Sequence, residues 1–252
     1  MPNAESLRAS PSLFGLWSVT GDPAVIDAAC STGPDFICID TQHGVNLSSL
    51  DASIFTVMTS YGVAGLVRVD SVDRVPIGRA LDLGAAGVII PQVETAVEAE
   101  RAVSAARYMP VGDRSFGMQT RRVGPFDERP YVVIQIETAG SLASASEIAT
   151  VDGVDCLYIG PADLGLSLGG PTAEVGAVYD GSASNSNEMR AAFRTVIEAC
   201  GANHVAPGVH CLSGSAAARA HTDGFTVSAV AVDLGLIAAG LAAELARARE
   251  SV

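Results

Sequence analysis

The stretch FICIDTQHGV, which runs from Phe36 to Val45, begins with four apolar residues and ends with an acid, an amide and an imidazole. A short apolar run followed by polar residues is typical of a strand that is buried on both faces of a parallel sheet. Runs of the same kind recur along the chain. They predict eight strands, at residues 14–19, 36–40, 65–69, 87–93, 131–137, 156–161, 205–210 and 225–230.

Alanine-rich segments with helical periodicity separate these strands. In DPAVIDAACSTG, for example, Asp22 can cap a helix, Pro23 suits the first helical position and Gly33 can end the helix. Alternating strands and helices are typical of βα units around a parallel sheet. The sequence therefore predicts a (β/α)8 TIM barrel, as a single domain over residues 1–252. An open doubly wound sheet is the alternative, because strand number alone does not prove closure.

The charge balance and the residue types exclude several functions. The chain has 28 acids and 15 bases, and a net charge of -13 disfavours binding to nucleic acid or to an anionic membrane. All 15 bases are arginine, and without lysine neither a Schiff-base aldolase nor a pyridoxal (PLP) mechanism is available. Five cysteines without a C-x-x-C pair, and no leader-like start, predict reduced thiols in a cytoplasmic protein.

Polar side chains follow the predicted strands at their carboxyl ends, where a barrel carries its active site. Glu137 and Asp163 follow neighbouring strands, and two carboxylates with open positions between them suit Mg²⁺ or Mn²⁺. Helix capping is the alternative role for each of these acids. The backbone N–H groups of Ala162 and Asp163 open a predicted helix and could hold a substrate carboxylate.

Two further side chains are candidates for binding and proton transfer. Arg68 lies within the buried run GLVRVD, where its guanidinium needs an anion. That anion is either a substrate oxygen or a neighbouring acid such as Asp40. His43 follows the second strand and suits proton transfer if Asp82, from a neighbouring unit, orients it. The alternative for His43 is an ordinary polar loop residue.

The order of the motifs resembles that of a known enzyme family. The motifs are GLWS, IDTQH, VRV, LDLGAAGVIIPQVET, RY-P-G-RS-G, IQIET, GVDCLYIGPADLG and APGV. In this respect the chain is similar, from end to end, to the metal-dependent (class II) pyruvate aldolases of the 4-hydroxy-2-oxoheptane-1,7-dioate aldolase and 2-dehydro-3-deoxyglucarate aldolase family. These enzymes are TIM barrels of the phosphoenolpyruvate/pyruvate superfamily type.

The resemblance implies a role for each candidate residue. It makes Glu137 and Asp163 the ligands of Mg²⁺, Mn²⁺ or Co²⁺, Arg68 the partner of the pyruvate oxygens, and His43 with Asp82 a base dyad. Asp40 becomes an acid that acts through water. The implied substrate-binding residues are Arg68, Gln135, Ala162, Asp163, Trp17 and His210.

Two positions depart from the family pattern. Gln42 replaces a glutamate that many members carry beside the base, and this changes the hydrogen bonds available to the loop. His210 stands where relatives often carry an aliphatic residue that shapes the aldehyde pocket. The expected aldehyde is therefore smaller or more polar.

The resemblance implies reversible cleavage of a 4-hydroxy-2-oxo acid into an aldehyde and pyruvate, or a close 2-oxo acid such as hydroxypyruvate. It also implies a homo-oligomer, and specifically a hexamer. One alternative is a carbon–carbon lyase that acts on acyl-CoA thioesters, as in citrate-lyase-like barrels. Arg121 and Arg122 form the only arginine cluster and are too few to favour a coenzyme A site. The second alternative is a barrel that binds metal and 2-oxo acids without turnover.

Overall fold

A closed barrel of eight parallel strands, in the order β1 to β8, forms the centre of the protein in a computed structural model that describes residues 4–45, 50–117 and 129–250. β1 pairs with both β2 and β8, so the sheet has no free edge and the open-sheet alternative is excluded. The strands are Leu13–Ser18, Phe36–Asp40, Ala64–Arg68, Gly87–Ile90, Tyr131–Ile136, Cys156–Ile159, Ala206–His210 and Val227–Val232. The predicted barrel is confirmed.

Helices surround the barrel and return the chain to the start of each next strand. In the described residues they are, from α1 to α12, Ala4–Ala9, Pro23–Cys30, Ala52–Tyr61, Arg74–Asp82, Ala96–Ala106, Ala139–Ala143, Ala145–Ala149, Pro161–Ser167, Val175–Asp180, Ser186–Asn203, Gly214–Asp223 and Asp233–Glu250. Asp22 caps α2 as predicted, because its carboxylate accepts hydrogen bonds from the N–H groups of Ala24 and Val25. No helix in the described part of the chain is long and apolar enough to cross a membrane.

Side chains alternate between the barrel interior and the layer under the helices, as the strand period of two requires. The interior is filled by aromatic and aliphatic residues, among them Phe36, Leu66, Ile89 and Tyr158. Gly208 leaves the space that the Tyr158 ring occupies, since a Cβ at Gly208 would lie 2.5 Å from Tyr158 Cδ2. The five cysteines are unpaired and buried, at Cys30, Cys38, Cys156, Cys200 and Cys211.

Candidate active site

Asp40 and Arg68 form an ion pair inside the mouth of the barrel. Arg68 Nε donates to Asp40 Oδ1 at 3.0 Å, and Arg68 Nη2 donates to Oδ2 in a shorter second bond. Trp17 Nε1 donates to Oδ2 at 3.1 Å, and the backbone N–H groups of Gln42 and His43 donate to Oδ1 at 3.0 and 3.1 Å. Of the two anions that the sequence allowed for Arg68, a substrate oxygen or Asp40, Asp40 is therefore the one that Arg68 contacts in this structure. Asp40 also holds the loop that carries His43.

The environment of this pair explains how two charges remain buried. Burial would raise the pKa of Asp40, but the hydrogen bonds and charge of Arg68, together with the other donors, outweigh burial and lower that pKa. The Arg68 guanidinium carbon lies 5.0 Å from the centre of the Trp17 ring, which supports it from one side. Asp40 occupies Nε and Nη2, so a guanidinium with five N–H groups has donors left for a substrate.

Glu137 lies directly after β5 and its carboxylate is buried. Oε1 accepts a hydrogen bond from the backbone N–H of Gln92 at 2.8 Å, and Oε2 accepts one from the Gln135 amide at 2.5 Å. Burial raises the pKa of Glu137, and the charge of Asp163 adds to the rise, against the effects of Gln92 and Arg68. Glu137 is therefore close enough to both other charges to be affected by them.

The residues around Glu137 fit a divalent metal ion. The charge of Asp163 raises the pKa of Glu137, and a cation bound by both carboxylates would oppose this effect. The buried oxygen Oε1 of Gln135 has no hydrogen-bond donor among the described residues, and a water molecule in such a site could supply one. The described ranges contain no group of three or more His, Cys, Asp or Glu that could hold a metal, so substrate and water oxygens would complete the set.

His43 and Asp82 are not neighbours within one chain. His43 is exposed on the loop after β2, at the carboxyl end of the strands. Asp82 is the last residue of α4, which returns to the opposite end, where the Ala86 N–H donates to the carbonyl of Gly65 near the start of β3. Asp82 Oδ1 accepts a hydrogen bond from Arg114 Nη2 at 2.6 Å. The expectation that Asp82 orients His43 from a neighbouring unit is therefore wrong within one chain.

Gln92 and Arg114 hold two of the candidate residues in place, but neither was assigned a role from the sequence. The backbone of Gln92, at a φ of 55°, points its N–H at Glu137, and no sequence signal predicts that positive φ. Arg114 is buried over the Tyr108 ring, with its guanidinium carbon 4.5 Å from the ring centre, and holds Asp82. The motif RY-P-G-RS-G contains both Tyr108 and Arg114, so this motif was the sequence signal for their structural role.

The predicted substrate-binding residues Trp17, Gln135 and His210 all lie at the mouth. His210 ends β7, and its ring centre is 4.8 Å from the Trp17 ring centre. α8 begins at Pro161, and its first helical bond runs from the Leu164 N–H to the Gly160 carbonyl. The N–H groups of Ala162 and Asp163 precede that bond. The structure thus brings together all the predicted site residues except Asp82.

Comparison with known proteins assigns the family. The profile of the HpcH/HpaI aldolase/citrate lyase family matches residues 13–239. The chain belongs to this family. It is 31% identical to a hydroxypyruvate/pyruvate aldolase of Delftia acidovorans, over 98% of this chain and 92% of that protein. It is also 31% identical to a 4-hydroxy-2-oxo-heptane-1,7-dioate aldolase of Salmonella dublin, over 98% and 95%.

A solved HpcH/HpaI family structure has the same architecture. A family protein from Burkholderia cenocepacia J2315 superposes with a TM-score of 0.83 and 26% identity, and 98% of each chain is covered. The resemblance seen in the motifs is therefore confirmed, and the chain is an aldolase-type lyase of the HpcH/HpaI family. Arg121 and Arg122 lie outside the described residues.

Proposed function

We propose that residues 1–252 form one catalytic domain, a divalent-metal-dependent aldolase. It would reversibly cleave a 4-hydroxy-2-oxo acid into an aldehyde and pyruvate, or a close 2-oxo acid such as hydroxypyruvate. The observation that carries the proposal is that buried Glu137 and buried Arg68 lie at one barrel mouth with the start of α8, which carries Asp163: a Cβ at Gly160, directly before α8, would lie 3.0 Å from Glu137 Oε2. The names of the relatives, a hydroxypyruvate/pyruvate aldolase and a 4-hydroxy-2-oxo acid aldolase, support it.

Glu137 and Asp163 would hold Mg²⁺, Mn²⁺ or Co²⁺, since these hard ions prefer carboxylate oxygens. When bound, such an ion stabilises the negative charge that develops on the oxygen of a 2-oxo acid. Gln135 fixes one oxygen of Glu137 and the Gln92 N–H fixes the other, so the carboxylate keeps one orientation. These hydrogen bonds preorganise the site before substrate arrives.

The 2-oxo acid would be bound by groups that the chain already holds in place. The N–H groups of Ala162 and Asp163 are suited to its carboxylate, because they precede the first hydrogen bond of α8. The free donors of Arg68 are suited to the keto oxygen, and Trp17 forms the wall beside it. Arg68 would hydrogen-bond more strongly to an enolate oxygen than to a ketone oxygen, which lowers the barrier to cleavage.

His43 would act as the base during cleavage. It takes the proton from the C4 hydroxyl, the C3–C4 bond breaks, and its electron pair forms the enolate of the 2-oxo acid while C4 becomes the aldehyde carbon. A proton then returns to C3 and gives pyruvate. The same steps in reverse order join the two products. Asp40 contributes to the position of His43, because Asp40 Oδ1 accepts a hydrogen bond from the His43 backbone N–H at 3.1 Å.

A homo-oligomer would complete this site and cover the last helix. Of the residues in α12, Asp233 alone is buried, whereas Leu236, Ile237 and Leu241 are 55%, 56% and 60% exposed. An apolar helix that lacks cover in one chain is suited to packing against a second copy. A second copy would also be the source of an Asp82 carboxylate near His43. The resemblance implies a hexamer. The buried thiols suit the reducing cytoplasm.

Exchange of the pyruvate methyl protons in D2O, followed by NMR, tests the proposal without knowledge of the aldehyde. We expect exchange with Mg²⁺, Mn²⁺ or Co²⁺ that chelator removes, because enolate formation requires the ion. Glu137→Gln should lose exchange by at least about a hundredfold, whereas the surface control Glu147→Gln should retain it. No exchange of pyruvate or hydroxypyruvate with any of these ions would contradict the proposal and favour a thioester substrate or a binding role.

A further inference from the structure

His210 and Arg68 share one aromatic wall at the mouth of the barrel. The His210 ring stands nearly perpendicular to Trp17, at an interplanar angle of 82° and a centre distance of 4.8 Å. Arg68 covers the same Trp17 ring, with its guanidinium carbon 5.0 Å from the ring centre. His210 is therefore next to the place where Arg68 would hold a 2-oxo acid.

The contacts of Tyr158 favour the tautomer of His210 that carries its proton on Nε2. The Tyr158 hydroxyl accepts a hydrogen bond from the Ala229 N–H at 3.3 Å and lies 3.5 Å from His210 Nδ1. The hydroxyl still has a proton to donate, and Nδ1 is the acceptor within reach. A neutral ring whose Nδ1 accepts carries its proton on Nε2.

The ring is also uncharged under ordinary conditions. Burial lowers the pKa of His210 to about 4, and the positive charge of Arg68 adds to this effect, although Asp40 opposes it. At neutral pH the side chain thus offers one N–H donor and no net charge. Such a side chain is suited to a hydrogen bond with an uncharged acceptor. It cannot form an ion pair with a substrate carboxylate.

We propose that the Nε2–H group of His210 donates a hydrogen bond to a substrate hydroxyl on or next to the reacting carbon, which makes His210 a specificity residue for hydroxylated substrates. The inference rests on the proposed aldolase function. Two molecules could supply this hydroxyl, and the chemistry is the same in both. One is a 3-hydroxy-2-oxo acid such as hydroxypyruvate, and the other is a 2-hydroxyaldehyde such as glycolaldehyde.

A substrate without the hydroxyl would cover the Nε2–H group of the half-buried His210 ring without giving it an acceptor. The cost of an unpaired buried donor is about 1–3 kcal/mol, which corresponds to a preference of roughly tenfold to a hundredfold. An aliphatic residue at position 210 would carry no such preference. The proposal therefore predicts a ratio between two substrates of nearly equal size, and this ratio is independent of a general loss of activity in a variant.

The experiment compares kcat/KM for two matched pairs in the metal-loaded enzyme. The donor pair is hydroxypyruvate and pyruvate, each with acetaldehyde, and the acceptor pair is glycolaldehyde and acetaldehyde, each with pyruvate. We expect the wild type to prefer the hydroxylated member of one pair by at least about tenfold. His210→Leu should lose that preference, while His221→Leu, the same change on α11, should keep it. The pair that responds identifies the source of the hydroxyl.

Two outcomes would overturn the inference and are distinguishable from failure of the aldolase assignment. If the wild type exchanges pyruvate protons but shows no hydroxyl preference, or if His210→Leu keeps the preference, the inference alone is wrong. If the wild type exchanges no pyruvate protons with any of the three ions, the proposed function fails and the inference fails with it.

Tyr158 is the positioning residue in this arrangement and gives an independent test. In protein labelled with ¹⁵N-histidine, the His210 signals, identified by their loss in His210→Leu, should show the proton on Nε2. Tyr158→Phe removes the donor to Nδ1, so we expect a mixed tautomer and a smaller hydroxyl preference. A proton on Nδ1 in the wild type would overturn the inference directly, whatever the kinetics.

Discussion

Asp40 shows at the residue scale how one carboxylate joins a strand, a loop and a binding group. Its two oxygens accept hydrogen bonds from Arg68, Trp17 and the backbone of the His43 loop. We expect Asp40→Asn to destabilise the fold by about 3 kcal/mol, since it leaves the Arg68 charge buried without a counter-charge. Asp73→Asn, which breaks an exposed pair with Arg101, should cost less than about 0.5 kcal/mol. Urea unfolding measures both, and equal effects would contradict the argument.

The pH dependence of the same variant follows from the pKa of Asp40. That pKa is lowered in the folded protein, so the stability it contributes is fully present above the ordinary aspartate value and is lost as pH falls through the folded value. The difference between wild type and Asp40→Asn should therefore be constant above about pH 5 and shrink in more acidic solution. A difference that grows on acidification would show that another group controls it.

At the scale of a secondary-structure element, Asp233 joins the start of a helix to the end of a strand through several hydrogen bonds, as Asp40 joins a strand to a loop. It begins α12, and its carboxylate accepts hydrogen bonds from Ser18 Oγ at 2.7 Å, Thr20 Oγ1 at 2.6 Å and the backbone N–H groups of Val19 and Thr20 at 3.1 Å. We expect Asp233→Ala to lower the unfolding free energy by about 2–4 kcal/mol, because these donors lose their buried acceptor. Glu244→Ala, in the exposed part of α12, should change it by less than about 0.5 kcal/mol. Thermal unfolding compares them, and a near-neutral Asp233→Ala would contradict this role.

The elements also show what the sequence can predict. Short apolar runs identified all eight strands, because a strand inside a barrel is buried on both faces. The strand ends placed Arg68 and Glu137 correctly, since every parallel strand points its carboxyl end to the same mouth. Asp82 was misplaced because it ends a helix, and helices in βα units run in the opposite direction. Gln92 was missed because a backbone N–H has no signature in the side-chain pattern.

At the scale of the whole molecule, two features of the chain support the proposed homo-oligomer. α12 exposes its apolar face, and Asp82 lies at the opposite end of the barrel from His43. If the N-terminal end of one barrel packs against the mouth of another, Asp82 of one copy comes near His43 of the other. Contact between copies would also cover the apolar face of α12. The proposed base dyad would then form between copies, with each copy giving one residue to its neighbour. Activity and assembly would therefore be lost together.

Mixed oligomers test this arrangement. His43→Ala and Asp82→Asn should each lower the cleavage rate by about a hundredfold, the usual contribution of a positioned base. When the two variants are co-expressed with different tags and the hybrid is purified, about a quarter of the sites combine an intact His43 with an intact Asp82 from another copy. We expect the hybrid to regain about that fraction of wild-type activity. Hybrids of His43→Ala with the double variant contain no intact pair and should remain inactive. A first hybrid as inactive as this control would show that the dyad does not form between copies.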